Sequence, residues 1–416
     1  MTALPPLRVL TQDLPRPRIA DPGRAARDAL TMLDLGARVR GRRVALTAGS
    51  RGIRDIVPVL RAAVAHLREL GAEPVVVAAM GSHGGATAEG QGRVLAYLGL
   101  NAEALGAPVS TAMETVVVGH TAEGLAVHCD RVAAACDGVL VVNRIKPHTA
   151  FDEPFGSGLL KMLAVGLGKA EGAALVHRQG ATRLAAAITS IARVHLDRGA
   201  VVGGLAIVEN AYDETAIIEA IPPARLLERE PALFQQARAM MPRLPVDELD
   251  VLVVDAIGKD YAGTGMDPHV IGRRRLRGLP EPAAPRITRI AALRLSAGSE
   301  GNAQGIGLAD VTTQRLVDAM DRRTTYTNTM TTTFLERAFI PLVFDSDREA
   351  IAAALATSEA ADPARARVAR IANTLHLGRL LVSEAVADAL VDRPGITVGP
   401  QVPWAFDRDG WLVDLV

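Results

Sequence analysis

Four short apolar runs decide the fold: VALTAGSRGI (residues 44–53), EPVVVAAMGSHGG (73–85), DGVLVVNRIKPH (137–148) and VVGGLAIVEN (201–210). Each run has the length and the aliphatic composition of a buried strand and leads into a loop with glycine or polar residues. Amphipathic stretches separate the runs, as in repeated βαβ units whose strands lie parallel in one sheet. The sequence therefore predicts an α/β protein with a mainly parallel, Rossmann-like sheet in its first half.

The segment between the first two runs predicts a helix. From Asp55 to Gly71, apolar residues recur at helical spacing, and Gly71 stands where a helix would end. A helix at this position would connect two parallel strands, which supports the βαβ interpretation.

The length of the chain, 416 residues, favours two domains. A new buried strand, DELDVLVVDAIGKD (247–260), follows the proline-bearing segment MPRLPVDE (241–248). We therefore predict an N-terminal α/β domain over 1–246 and a smaller C-terminal α/β domain over 247–416, with the last strand able to return to the first domain.

Charge and cysteine content exclude several classes of protein. Lys plus Arg and Asp plus Glu both number 46, so no basic field attracts nucleic acid or anionic lipid. No apolar stretch approaches the 18 or so residues that a membrane helix needs. Cys129 and Cys136 form neither a CxxC redox pair nor a metal cage. These features predict a cytoplasmic protein with neither nucleic acid nor membrane as a partner.

Polar residues stand where the predicted strands end. Arg51 follows the first run, His83 the second, and Lys146 with His148 the third. Each alone is typical of a solvated surface residue. Because the carboxyl ends of parallel strands meet at one edge of a sheet, where open α/β folds bind ligands, the four together predict a site there.

The glycine-rich segment FGSGLLKMLAVGLGKAEGAALVHRQG (155–180) is not a phosphate loop. The pair Gly168-Lys169 lacks a glycine five residues before Gly168, and Ala170 stands where a P-loop has Ser or Thr. A glycine fingerprint for a dinucleotide is also missing, because no GxGxxG follows a strand with an acidic residue about twenty positions later.

Several motifs, in this order along the chain, resemble the lactate racemase family, the nickel-pincer enzymes and their homologues. They are GSRGI (49–53), GSHGGAT (81–87), NRIKPH (143–148), SGLLKMLAVGLGK (157–169), His177, IGKDYAGTGMDP (257–268) and TTTFLERAFIPLVFDSDREA (331–350). The likeness runs through most of the chain. Each motif is weak alone, whereas their order and spacing together are fairly specific.

The resemblance implies a nickel-pincer nucleotide, a pyridinium mononucleotide bound covalently to Lys161 through a thioamide. The cofactor would give nickel a carbon and two sulfurs, and His177 would give the fourth ligand. Tetragonal Ni(II) accepts imidazole together with soft sulfur. Lys146 and Ser157 would contact the cofactor, and the enzymes that build the cofactor would be partners.

The spacing of Lys161 and His177 limits which conformations the chain between them can adopt if one cofactor contacts both. Sixteen residues of unbroken helix would separate them by roughly 24 Å, at about 1.5 Å per residue. One mononucleotide does not easily bridge that distance. Gly166 and Gly168 allow a helix to end and the chain to reverse, so we predict a break there.

The resemblance also implies the reaction: racemisation or epimerisation of a small 2-hydroxy acid through a transient 2-keto acid. His83 and His148 would be the two bases that take the hydroxyl proton, a task suited to imidazole near neutral pH. Arg51 and Lys259 would bind the substrate carboxylate or keto oxygen. Because Lys259 belongs to the second domain, the active site is expected in the interdomain cleft.

Two departures favour a substrate other than lactate. Characterised lactate racemases carry Asp at the position of Ala48, and they have polar residues where this chain has Asp255 to Gly258. The alternatives are a nicotinamide-dependent oxidoreductase and a protein that binds a nucleotide or cofactor without catalysis. A homo-oligomer is compatible with the sequence.

Overall fold

The computed structural model describes residues 4–50, 52–150 and 154–413. Its contacts divide the chain into two units. The N-terminal unit runs from Arg16 to Met241, and the C-terminal unit combines the residues up to Pro15 with those from Pro242 onward. Both contain helices and mostly parallel strands, so the α/β fold class predicted from the sequence is confirmed. No helix among the described residues is long and apolar enough to cross a membrane.

The strands are numbered along the chain. They are β1 (Leu7–Gln12), β2 (Arg43–Ala48), β3 (Glu73–Ala78), β4 (Val109–Ser110), β5 (Thr115–His120), β6 (Ala126–Asp130), β7 (Gly138–Arg144), β8 (Val201–Glu209), β9 (Thr215–Ile221), β10 (Glu248–Val254), β11 (Arg286–Ala292), β12 (Val311–Thr313), β13 (Leu342–Phe344), β14 (Val368–Ile371), β15 (Arg379–Ser383) and β16 (Ile396–Val402).

The helices are numbered in the same way. They are α1 (Pro22–Thr31), α2 (Gly36–Val39), α3 (Ile56–Glu69), α4 (Ala88–Tyr97), α5 (Ala102–Leu105), α6 (Arg131–Ala134), α7 (Leu159–Lys161), α8 (Lys169–His177), α9 (Leu184–Asp197), α10 (Leu226–Ala239), α11 (Pro268–Ile271), α12 (Gln314–Asp318), α13 (Arg322–Thr332), α14 (Asp347–Ala356) and α15 (Glu384–Asp388).

The sheet of the N-terminal unit has the order β4-β3-β2-β7-β8-β9, and a separate hairpin joins β5 and β6. The four quoted apolar runs supply β2, β3, β7 and β8, which pair in parallel, while β9 returns antiparallel to β8. Residues of these strands are almost all buried, as expected where both faces of a parallel sheet are covered. The carboxyl ends of β2, β3 and β7 therefore lie along one edge.

Helix α3 confirms the prediction for the segment from Asp55 to Gly71. It begins at Ile56 and ends at Glu69, and Gly71 has a φ of +82°, a left-handed conformation that glycine adopts without strain. The buried face of α3, including Leu60 and Leu67, packs into the core on one side of the sheet.

The sheet of the C-terminal unit has the order β13-β12-β11-β10-β14-β15-β1-β16. Strands β10 to β14 pair in parallel, whereas β15, β1 and β16 are antiparallel to their neighbours. Alternate residues of β10 pack into different hydrophobic cores. Leu252 and Val254 belong to one core, and Val251 and Val253 belong to the other. The sheet is therefore covered on both faces.

The N-terminal strand differs from the domain division expected from the sequence, which assigned it to the first domain of 1–246. Strand β1 pairs with β15 and β16, so it belongs to the C-terminal unit. The last strand, β16, also remains in that unit rather than returning to the first. Backbone hydrogen bonds with residues almost 400 positions away along the chain determine where β1 lies.

Candidate active site

Loops that follow β2 and β3 bring two polar side chains together. Ser50 lies just beyond β2 and His83 five residues beyond β3, and the Ser50 hydroxyl hydrogen-bonds His83 Nδ1. The close approach of the two loops follows from the adjacent, parallel pairing of their strands. His83 is partly exposed, so its ring remains accessible at this edge of the sheet.

The loop that follows β7 holds three more of the predicted residues. Lys146 and Ser157 form an isolated bridge, in which each backbone N–H donates to the other residue's carbonyl, at 2.8 and 2.7 Å. Between them, His148 is buried, and its Nδ1 accepts the N–H of Ala150 at 3.1 Å. A neutral His148 ring must then carry its proton on Nε2.

The helix that carries Lys161 is broken, as the spacing argument predicts. Helix α7 passes at Lys161 into a π-helical segment, Met162–Gly166, and α8 begins at Lys169 with a φ of +51°. The left-handed residue is therefore a lysine and not one of the glycines. Gly166 has a different role, since a Cβ there would lie 2.7 Å from the carbonyl oxygen of Ala79. It permits close contact with the chain beyond β3.

The break brings Lys161 and His177 into electrostatic contact. Burial of the ring and, as the smaller cause, the positive charge of Lys161 together lower the pKa of His177 to about 4. His177 is therefore neutral at physiological pH, the form in which imidazole binds metals. Lys161 itself is partly exposed.

A buried carboxyl group holds the start of α7. Glu230, in α10, is fully buried, and its Oε2 accepts the N–H of Leu160 at 2.9 Å. Gly158 allows this approach, since a Cβ there would lie 2.3 Å from Glu230 Oε1. Asn143, near the end of β7, donates to the Gly158 carbonyl at 3.0 Å. Sequence reasoning missed both residues, because a glutamate on a helix is usually a solvated charge.

Replacing Glu230 with Gln is expected to change how stability depends on pH. Burial raises the pKa of Glu230 from 4.5 to about 7, although N–H groups of Leu159 and Leu160 oppose the shift. The folded state therefore favours the protonated acid, and the stability this contributes is lost as pH rises from about 4.5 to about 7. Relative to the wild-type value, the free energy of unfolding of Glu230→Gln should increase by up to about 3 kcal/mol between pH 4 and pH 8.

Urea unfolding followed by circular dichroism at several pH values measures this difference. Glu228→Gln is the matched control, because Glu228 lies on the same helix with an exposed side chain. The free energy of unfolding of Glu228→Gln should stay within about 0.5 kcal/mol of the wild-type value at every pH. An equally flat difference for Glu230→Gln would show that folding does not shift the pKa of Glu230.

The remaining two predicted residues are Arg51 and Lys259. Arg51 lies outside the described residues, but its neighbour Gly52 accepts a hydrogen bond from Arg144 at 3.0 Å, and Arg144 is ion-paired with Glu209. Lys259 belongs to the C-terminal unit, where its ammonium donates to the Gly263 carbonyl and to Gln304 Oε1, both at 2.7 Å.

Within residues 4–50, 52–150 and 154–413, no group of three or more His, Cys, Asp or Glu side chains is arranged to hold a metal ion. The two cysteines are buried and free, and burial is the main cause that raises the pKa of each thiol, that of Cys129 to about 12. His177 is therefore the metal ligand candidate that the sequence singles out.

Comparison with solved structures shows a likeness of fold. A solved structure, that of the lactate racemase apoprotein from Thermoanaerobacterium thermosaccharolyticum, is similar over 88% of this chain and 94% of that chain, with a TM-score of 0.51 and 11% sequence identity. This chain has the lactate racemase fold. No protein-family model and no curated protein sequence matches it. At 11% identity, the likeness is one of fold alone.

Proposed function

We propose that this protein racemises or epimerises a small 2-hydroxy acid, with a nickel-pincer nucleotide bound covalently to Lys161 and nickel bound by His177. The observation that carries the proposal is the broken helix, which makes the charge of Lys161 act on His177 across sixteen residues of sequence. The fold that the chain shares with lactate racemase supports it.

The side chains present fit such a cofactor. Lys161 is partly exposed and carries the amine that a covalent bond would use, and His177 is a neutral imidazole at physiological pH. Lys146 and Ser157 form a bridge a few residues before Lys161, and we assign them to contacts with the cofactor. When bound, the nickel-pincer nucleotide would supply an acceptor for the hydride that leaves the substrate carbon.

The two histidines handle the substrate hydroxyl proton in this proposal. Racemisation needs a base for each face of the substrate, and we assign these roles to His83 and His148. The hydroxyl of Ser50 orients the ring of His83. The N–H of Ala150 occupies the Nδ1 lone pair of His148, so this contact must open before His148 can take the substrate proton. Proton transfer by an oriented imidazole typically contributes 10²-fold or more in rate.

Arg51 and Lys259 complete the proposed machinery by binding the substrate carboxylate or the keto oxygen of the intermediate. The ion pair of Arg144 with Glu209 anchors the residues that follow Arg51, since Glu209 Oε1 also accepts the N–H of Arg54 at 2.8 Å. Ala48, buried at the end of β2, replaces an aspartate of characterised lactate racemases. We therefore propose a 2-hydroxy acid other than lactate.

The test is the interconversion of enantiomers by protein produced together with the cofactor-building enzymes. Loaded wild-type protein should contain nickel and interconvert at least one of a panel of 2-hydroxy acids. His83→Asn and His148→Asn should keep the nickel and lose at least about 10²-fold in rate. Chiral chromatography measures the rate, and elemental analysis measures the nickel.

His120→Asn is the matched control, because His120 is exposed in β5, outside the proposed machinery. It should retain the wild-type rate. If both His83→Asn and His148→Asn retained nickel and the full rate, the two assigned bases would be wrong. If loaded protein held nickel and interconverted none of the acids, the chain would be a cofactor carrier and not a racemase.

A further inference from the structure

A buried lysine lies at the break in the helix between Lys161 and His177. Lys169 is fully buried, and its ammonium is ion-paired with the fully buried Asp130 at 2.9 Å. The same ammonium donates to the carbonyl of Ala78, the last residue of β3, and to Gln91 Oε1 at 3.3 Å. The backbone N–H of Asp130 donates to the Leu167 carbonyl at 2.6 Å. Asp130 therefore contacts the broken segment through both its side chain and its backbone.

Gln91 extends this network to the loop that carries His83. It is a fully buried residue of α4, and its side-chain amide donates to the carbonyl of Gly81 at 2.9 Å and to that of His83 at 3.4 Å. Its Oε1 accepts from Lys169. One amide therefore connects the start of α8 with the backbone of the His83 loop.

We propose that Gln91 and Lys169 are positioning residues that fix His83 relative to the helix that ends at His177. The chemical role of His83 in this inference rests on the proposed function, whereas the positioning itself does not. Buried ion pairs such as Lys169 with Asp130 contribute little net stability compared with apolar residues of similar size. The network adds a side-chain connection between two segments that also meet where the Gly81 N–H donates to the Gly166 carbonyl at 3.4 Å.

The decisive variant is Gln91→Met, which keeps the volume of the side chain and removes all three hydrogen bonds. In the full-length protein as purified, amide hydrogen exchange over residues 81–86 should become about fivefold faster, the effect of losing one net hydrogen bond. Carbethoxylation of His83 by diethyl pyrocarbonate, followed by peptide mass spectrometry, should change in rate by at least about threefold.

The matched control is Leu95→Ala, a buried substitution in the same helix that destabilises the unit without touching the network. It should lower the unfolding midpoint and leave the reactivity of His83 unchanged. Gln91→Glu keeps the acceptor for Lys169 but cannot donate to the two carbonyls, so it should resemble Gln91→Met at the loop. Equal behaviour of Gln91→Met and Leu95→Ala in both measurements would overturn the proposal.

Lys169 is tested by a double substitution, because Lys169→Met alone would leave the carboxylate of Asp130 buried without its cation and could prevent folding. Lys169→Met combined with Asp130→Asn removes both charges and should give the same faster exchange over residues 81–86. Unchanged exchange in this folded variant would overturn the role of Lys169. All of these measurements are made without cofactor or substrate, so their failure is distinct from a failure of the racemase proposal.

Discussion

Lys161→Arg is expected to abolish both the covalent cofactor and the activity of protein produced with the cofactor-building enzymes. Arginine keeps a positive charge near His177, so the electrostatics of the site change little. Its guanidinium stays protonated above pH 12, however, and offers no amine for a thioamide bond. The rate should fall by at least about 10⁴-fold, since enzymes typically accelerate reactions by 10⁶ or more and the variant lacks the hydride acceptor.

Intact mass spectrometry checks the covalent bond directly, and the sequence makes the result easy to map. The chain has only four lysines: 146, 161, 169 and 259. Peptide mapping should place the added mass on Lys161 alone. His177→Gln is the comparison variant, which should keep the added mass and lose the nickel. An unmodified Lys161 and no nickel in wild type, or a full cofactor mass in Lys161→Arg, would refute the assignment.

Much of the N-terminal unit was predictable because its signals are local. Continuous aliphatic runs specify strands that are buried on both faces, and Gly71 ends α3 as its position indicates. The break between Lys161 and His177 was predictable from the resemblance and helix geometry together, because the implied cofactor must reach both residues. The sequence did not predict which residue has the positive φ, because Lys169 adopts that conformation through its buried contacts with Asp130 and Ala78.

The features that sequence reasoning missed depend on residues distant in the chain. Glu230 accepts from the backbone of Leu160, seventy residues earlier, and nothing in the sequence around α10 indicates that contact. Strand β1 has an ordinary strand pattern, which reveals that it is a strand but not which strands it joins. The candidate site residues at the strand ends could be identified from the sequence, because the carboxyl ends of parallel strands lie at one edge of the sheet.

In the C-terminal unit, we expect a large loss of stability when the ion pair between Asp255 and Arg370 is broken. Both side chains are about 1% exposed, and the guanidinium donates from Nε and Nη2 to the two carboxylate oxygens at 2.8 and 2.9 Å. Asp255 follows β10 directly and precedes Lys259 by four residues, so the pair anchors the start of the segment that carries Lys259.

Arg370→Met should therefore destabilise the C-terminal unit by about 3–5 kcal/mol, the usual effect of leaving one charge of a buried pair without its partner. Trp404 and Trp411 are the only tryptophans of the chain and both belong to this unit, so urea unfolding followed by tryptophan fluorescence reports on it alone. Arg367→Met is the control, since the half-exposed Arg367 pairs with Glu248 and Asp250 near the surface and its loss should cost at most about 1 kcal/mol.

The double variant Asp255→Leu with Arg370→Met separates the two explanations for such a loss. If the cost comes from an uncompensated charge, removing both charges should restore most of the stability, because an apolar pair of similar volume is often as stable as a buried ion pair. If the double variant is as unstable as Arg370→Met, the loss comes instead from hydrogen bonds and packing that only these two side chains provide. In that case, the segment before Lys259 depends on the ion pair for its shape as well as for its charge balance.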